Sequence, residues 1–230
     1  MPSKACFVLL VHPEKLNTLA PLAYLDRLVY FCFMLSKAER TRLSIVEKAA
    51  HLFNKRGFYG TSMNDIMEVT GLAKGGIYGH FSSKEEIVLE AFEYSFRKVS
   101  DELILRIKTK DNAPDKLLII LDYYRDYTLQ SPIEGGCPVL NYTSHADSVP
   151  ELKKALALAS NLMLETLENI LEKGKKYGQL KKTIKPSEEA DLLYSRIEGA
   201  IMLSKATGNN AKLNQLLDKL KQYILTELKA

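Results

Sequence analysis

Side chains able to do covalent or metal chemistry are few and scattered in this 230-residue chain. Four histidines (His12, His51, His80, His145) and three cysteines (Cys6, Cys32, Cys137) lie far apart. There is no HExxH, no Gly-x-Ser-x-Gly and no CxxC spacing, and Gly71 to Gly79 lacks the Gly-Lys-Ser/Thr ending of a phosphate-cradling loop. A nucleophile–base pair of Cys137 and His145 would need the fold to bring them together. These patterns give no reason to expect an enzyme, a metal site or a cofactor. An odd number of widely spaced cysteines argues against a disulfide framework and suits a reducing cytoplasm. Cys137 has the most suggestive setting, in Gly135-Gly136-Cys137-Pro138-Val139-Leu140-Asn141. A thiol at a helix N-terminus can have a lowered pKa and a reactive thiolate. A small buried residue at the turn before a helix is the other reading of the same position.

Charge supplies a second kind of chemistry, attraction to a polyanion. The net charge is +4, from 32 basic and 28 acidic residues. Ser36 to Lys84 holds eight of the basic residues (Lys37, Arg40, Arg42, Lys48, Lys55, Arg56, Lys74, Lys84) against four acidic ones (Glu39, Glu47, Asp65, Glu68), so the rest of the chain balances. A local basic excess suits the DNA backbone, and equally a solvated surface.

The elements around those residues read as helices throughout. Ile45, Ala49 and Phe53 recur at steps of four, with Val46, Ala50 and Leu52 beside them, predicting a helix from Thr41 to Arg56 that Gly57 stops. Thr61 and Ser62 offer an N-cap to a second helix of about two turns with Ile66 and Val69 inward. Thr70-Gly71-Leu72 is a tight turn, and Ala73 to His80 a short third helix with Ile77 inward and Phe81 closing the unit. A longer helix followed by two short ones across a tight glycine turn is the arrangement whose last helix enters the major groove. Any small three-helix unit could share that spacing.

Further on, Glu85 to Lys108 is amphipathic and Pro114 starts the next helix, which Ser131 to Pro138 breaks. A short helix is expected from Val139 to Ala146, then a long one from Pro150 to near Gly174, and two more over Pro186 to Thr207 and Asn210 to Leu228. The expected class is all-α with about nine helices. The expected division is an N-terminal extension (1–35), a helix-turn-helix domain (36–84), and a larger helical ligand-binding and dimerisation domain (85–230).

The first 33 residues contribute no recognisable element. Leu16 to Leu35 is apolar but carries Asp26 and Arg27 in its middle, which is costly for a membrane span, and no clear cleavage site for a signal peptide follows. The expectation is that translation begins at Met34, with the preceding residues either not native or disordered.

The residues from Arg42 through Gly57-Phe58-Tyr59-Gly60-Thr61-Ser62-Met63-Asn64-Asp65-Ile66, Gly71-Leu72-Ala73-Lys74-Gly75-Gly76-Ile77-Tyr78-Gly79-His80-Phe81 and Ser83-Lys84-Glu85 strongly resemble the TetR family over about 50 residues. The resemblance implies a three-helix domain that reads a palindromic operator in double-stranded DNA and a larger helical domain that dimerises and binds a small-molecule effector. The implied DNA contacts are Thr61 and Ser62 at the start of the second helix, Lys74, Gly75, Gly76, Tyr78 and His80 in and after the reading helix, and Lys84 as a phosphate-binding lysine. This chain departs from the family by having Ala73 where Ser is frequent, Gly76 where a small polar residue is frequent, and Gly79 where a larger residue stands. Gly76 and Gly79 each weaken a helix by about 1 kcal/mol relative to Ala, so the helix is expected to order fully on DNA or to need close backbone approach.

The resemblance also implies a dimer interface on the last two long helices, with Leu193, Ile197, Ala200 and Ile201 as its apolar face. Such a face could instead be intramolecular core. Expected effector contacts are Phe92, Phe96, Tyr123, Tyr127, Cys137, Tyr142 and Met163, which suit an apolar or aromatic molecule with a few polar anchors. Gly-Cys-Pro around Cys137 resembles an element in one branch of the family. The implied function is a homodimeric, cytoplasmic bacterial repressor released from its operator by such an effector. A cysteine-based electrophile or redox sensor and a helical module without sequence-specific DNA binding are the alternatives.

Overall fold

Glycines and prolines punctuate the chain much as expected. The computed structural model describes residues 36–230, the side chains of 126–130 excepted. The expectation about residues 1–33 lies outside them, as does the side chain of Tyr127. Helix α1 (Lys37–Arg56) ends at Gly57, whose φ of +73° is open to glycine at little cost. Then come α2 (Met63–Thr70), α3 (Lys74–Tyr78), α4 (Lys84–Lys108), α5 (Ala113–Gln130), α6 (Pro138–Thr143), α7 (Pro150–Lys176), α8 (Pro186–Thr207) and α9 (Asn210–Tyr223). The class is all-α, with nine α-helices and no strand among the described residues. One isolated antiparallel bridge joins Leu180 to Lys229. No helix there is long and apolar enough to cross a membrane.

Several boundaries differ from the sequence expectation for identifiable reasons. The helix expected from Val139 to Ala146 stops at Thr143, and a separate 3-10 turn, Ala146–Ser148, leads into α7. Gly174 does not stop α7, which continues to Lys176. A Cβ at Gly174 would lie 2.5 Å from Ala113 Cβ and 2.6 Å from Leu180 Cδ1, so glycine is there to let the start of α5 come close. After α9 the chain widens into a π turn, Ile224–Leu228, instead of continuing as α-helix.

By contact the chain divides after Leu43. The described part of the first unit is the opening of α1, where Ser36 and Glu39 cap each other's backbone N–H groups at 3.2 and 2.8 Å. The second unit, from Ser44 onward, has two cores. One gathers Ile45, Ala49, Phe53, Ile66 and Ile77 of the first three helices and Phe81 just after them with Ile87, Ala91 and Phe92 of α4 and Tyr142, Leu152 and Leu156 beyond it. The other gathers α5, the later half of α7, α8 and α9, and Phe96 and Val139 touch both. The boundary expected between 84 and 85 therefore falls at the first residue of a helix that packs into the same core as α1 to α3. Val69, expected inward, is 39% exposed; Ile66 is the fully buried residue of α2, with Met63 and Met67 partly buried beside it.

Candidate nucleic-acid interface

Helix α2 is fixed at both ends by capping. Ser62 Oγ accepts from Asp65 N at 3.1 Å, while Ser62 N donates to Asp65 Oδ2 at 2.7 Å, a reciprocal capping box. The Ser62 hydroxyl, which also donates to Asp65 Oδ2, and then the Ser62 N–H hold the Asp65 carboxyl below its ordinary range, and Arg56 Nη1, 3.1 Å from Oδ1, adds to the effect. At the other end Gly71, at φ +71°, closes α2 by donating its N–H to Met67 O at 2.9 Å. The backbone reverses there, and α3 begins three residues later.

α3 is five residues long, shorter than the expected Ala73 to His80, although backbone bonds from His80 and Phe81 to Ile77 O continue its curl. Ala73 supplies no side-chain cap, and Gly75, Gly76 and Gly79 make regular helix entropically costly. Ile77 is fully buried and fixes the helix on the core; Lys74, Gly75, Gly76 and Tyr78 are exposed on its outer side. Lys74 Nζ lies 5.7 Å from the Tyr78 ring, so cation and aromatic form one patch. A Cβ at Gly75 would meet nothing, and at Gly76 only Leu72 at 3.5 Å.

The remaining expected contacts take different environments. Thr61 is fully buried and its hydroxyl donates to Gly57 O at 2.9 Å, so that hydroxyl braces the α1–α2 turn and is turned away from any phosphate. Ser62 stays exposed. His80 is half-buried just past α3. Lys84 opens α4 behind a Ser83 cap and lies 4.0 Å over the Phe58 ring. Partial burial pulls its ammonium below the ordinary lysine range, and Glu85 and Asp65 oppose that.

The expected effector contacts do not surround one cavity. Phe92 stacks on Phe96 at 6.2 Å and meets Tyr142 at 5.3 Å in the first core, while Tyr123, Cys137 and Met163 belong to the second. The Tyr142 hydroxyl is buried without a hydrogen bond, and the nearby Ser95 donates to Ala91 O. A groove of about 690 Å³ lies elsewhere, lined by Leu164 of α7 and by Glu188, Asp191, Leu192, Tyr194, Ser195 and Glu198 of α8.

Cys137 caps α6, but its thiol is not activated there. It is 4% exposed and donates to Glu198 Oε1 at 3.1 Å, and burial, with the Glu198 carboxylate next, pushes its pKa well up. The lowered pKa expected from helix position is thus overturned by desolvation. Burial also lifts Glu198 to about 7, and its Oε2 has no partner.

Leu193, Ile197, Ala200 and Ile201 are 1 to 2% exposed inside a single chain. They form the intramolecular core, and so cannot be the partner-facing residues expected above. Their inward periodicity is real; the outward stripe lies beside it on α8, at Leu192, Ser195, Gly199, Met202 and Ala206.

A buried Ile77, a capped α2, a left-handed glycine turn and an exposed Lys-Gly-Gly-x-Tyr face define a helix-turn-helix unit. Residues 45–91 match the family described as "Bacterial regulatory proteins, tetR family", and 113–220 match "Tetracyclin repressor-like, C-terminal domain". A regulator from Lactococcus lactis, an HTH-type transcriptional regulator in the lacX 3' region, is 30% identical over 79% of this chain and 91% of its own. The HTH-type transcriptional repressor DhaR of a Mycobacterium species is 24% identical over 76% of this chain and 88% of its own. A crystal structure of a TetR transcriptional regulator from Chloroflexus aurantiacus superposes with a TM-score of 0.81, at 33% identity, over 85% of this chain and 99% of the other. The chain belongs to the tetR family of bacterial regulatory proteins.

Proposed function

We propose that this protein is a cytoplasmic, homodimeric repressor that binds a palindromic operator and leaves it when a small molecule binds the helical part beyond α3. The observation that carries the reading is the exposed α3 face of Lys74, Gly75, Gly76 and Tyr78, held on the core by Ile77. Lys74, Tyr78 and His80 reach for base edges and phosphates, and the exposed Ser62 and the Lys84 ammonium flank them on the backbone. Thr61 acts through the turn that it braces. The division of labour is residues 36–84 for DNA and 85–230 for effector and dimer, the two sharing a core.

Fluorescence anisotropy on a duplex from upstream of its own gene, against a scrambled duplex, tests the reading. Specific binding that weakens with salt supports it; equal weak binding to both overturns it. Lys84→Gln is expected to flatten the slope of log affinity against log salt by about 1 while leaving discrimination between the duplexes unchanged.

The effector is a small, mostly apolar or aromatic molecule with polar anchors. Support comes from the Phe92–Phe96–Tyr142 cluster, whose Tyr142 hydroxyl has hydrogen-bonding capacity to spare, and from the buried unpartnered Glu198 Oε2. The buried, protonated thiol of Cys137 favours this over electrophile sensing.

Dimerisation uses the outward stripe of α8. Leu192, Ser195, Gly199, Met202 and Ala206 alternate at steps of three and four, and a Cβ at Gly199 would meet nothing within the chain, leaving room for a second helix. Met202, 47% exposed, is at its centre. Met202→Glu is expected to convert the dimer to monomer in sedimentation velocity at micromolar concentration. A dimer indistinguishable from the original would mean another face is used.

A further inference from the structure

Between α8 and α1 lies a junction built from side chains hydrogen-bonded to backbone. Asn54, in the last turn of α1 and 1% exposed, donates Nδ2 to Glu134 O at 2.7 Å and to Gly136 O at 2.8 Å. Asn141 of α6 donates its own Nδ2 to Asn54 O and Asn54 Oδ1, both at 3.0 Å, and to Gly135 O at 2.8 Å. From the far side Lys205 of α8 donates Nζ to Gly135 O at 3.0 Å and to Asn141 Oδ1. Two turns earlier on α8, Glu198 accepts from Cys137, the last residue before α6. So α8 grips the 135–141 segment at two places, and the segment grips the helix that leads into the reading unit.

These contacts are directional where the cores around them are not. Apolar faces can slide by fractions of an ångström, whereas a carbonyl is satisfied only when its donor points at it. Lys205 is exposed to solvent, but its Nζ is held by two neutral acceptors, and the partial desolvation there pulls its ammonium below the ordinary range. Moving α8 away from the segment would break both of these bonds and the Cys137–Glu198 bond together, so the segment is tied to the helix. The same helix lines the groove with Glu188, Tyr194 and Glu198 and presents the outward stripe.

We propose that the 134–141 segment is the joint through which the position of α8 sets the position of α1 and the reading helices, with Lys205 and Asn54 as its positioning residues. The proposal rests on the regulator reading for its purpose, but not for its test. Asn54 is the position at which the α8 grip reaches the DNA-reading unit, and neither residue is on the DNA-facing side of α3.

The experiment compares the full chain with Lys205→Met, Lys205→Arg, Asn54→Ala and the double variant Lys205→Met/Asn54→Ala. In amide hydrogen exchange, Lys205→Met is expected to raise exchange by about tenfold in residues 50–57 and 134–141 while residues 210–223 keep their protection. A uniform rise would be mere loss of stability and overturns the proposal; so does an unchanged 50–57 segment. On the upstream duplex each single loss is expected to weaken binding about fivefold, the double variant no more than Asn54→Ala alone, and Lys205→Arg to recover most of it. Double-variant losses that multiply independently overturn the joint. If no protein tells the two duplexes apart, the regulator reading fails and the exchange result alone decides the joint.

Discussion

Gly135→Ala is expected to lower the melting temperature by about 6 to 12 °C, against about half of that or less for Gly136→Ala. Both glycines have left-handed backbone, φ +105° and +93°, so each alanine carries a conformational cost of about 1 to 2 kcal/mol. Their surroundings differ. A Cβ at Gly135 would lie 2.5 Å from Asn54 O, 2.8 Å from Asn54 C and 3.1 Å from Lys55 Cα, all backbone atoms of α1, while at Gly136 it would meet nothing. Overpacking against unyielding backbone adds about 1 to 3 kcal/mol, and for a chain of this size each kcal/mol moves the midpoint by about 2 to 4 °C. The difference between the two alanines isolates the close approach of segment and helix. Equal midpoints in scanning calorimetry would show that the approach is not a stability determinant.

A second large effect is expected at Glu198. Burial raises its carboxyl from an ordinary glutamate value to about 7, the bond from Cys137 pulling slightly the other way. The folded chain therefore holds a proton that the unfolded chain has released. Its contribution to stability is fully present below the unfolded pKa of about 4.5 and is lost as pH rises through about 7. The size is about 2 to 3 kcal/mol. Glu198→Gln keeps the shape and the neutral state, so relative to wild type it is expected to gain that amount between pH 5 and pH 8.5, seen as a rising difference between the two melting midpoints. A constant difference across that range would mean that the carboxyl titrates normally. Because Glu198 holds Cys137 at the start of the 137–141 turn, the same titration acts on the anchorage of α1.

How much was legible in the sequence depended on whether a residue's role is local. Gly57, Gly71 and Ser62 announce their turns and caps through backbone chemistry that involves only near neighbours, and they stand where expected. The end of α7 near Gly174 was legible too, but not what the glycine accommodates, because Ala113 and Leu180 are remote or beyond the next turn. The periodicity of Leu193, Ile197, Ala200 and Ile201 correctly marked an apolar face, but periodicity alone cannot say whether a face meets its own chain or another. Cys137 was legible as a helix cap and not as a buried donor to Glu198, 61 residues away. Asn54 was missed although a signal was present: it continues the inward row Val46, Ala50 at the next step of four. A polar residue in such a row asks for partners, and Asn141 and the carbonyls of Glu134 and Gly136 supply them.

The outer face of α3 has a consequence for how such a protein changes over generations. Positions 75 and 76 carry no side chain, and the chain itself makes almost no demand on them, since a Cβ would find empty space at one and ordinary contact with Leu72 at the other. Under the proposed function, residues that face DNA are thereby uncoupled from residues that keep the domain folded. New side chains can be tried at Gly75 and Gly76 with a gain in helix propensity and no loss of core, so the target sequence can drift while the scaffold, and whatever it senses, is inherited unchanged.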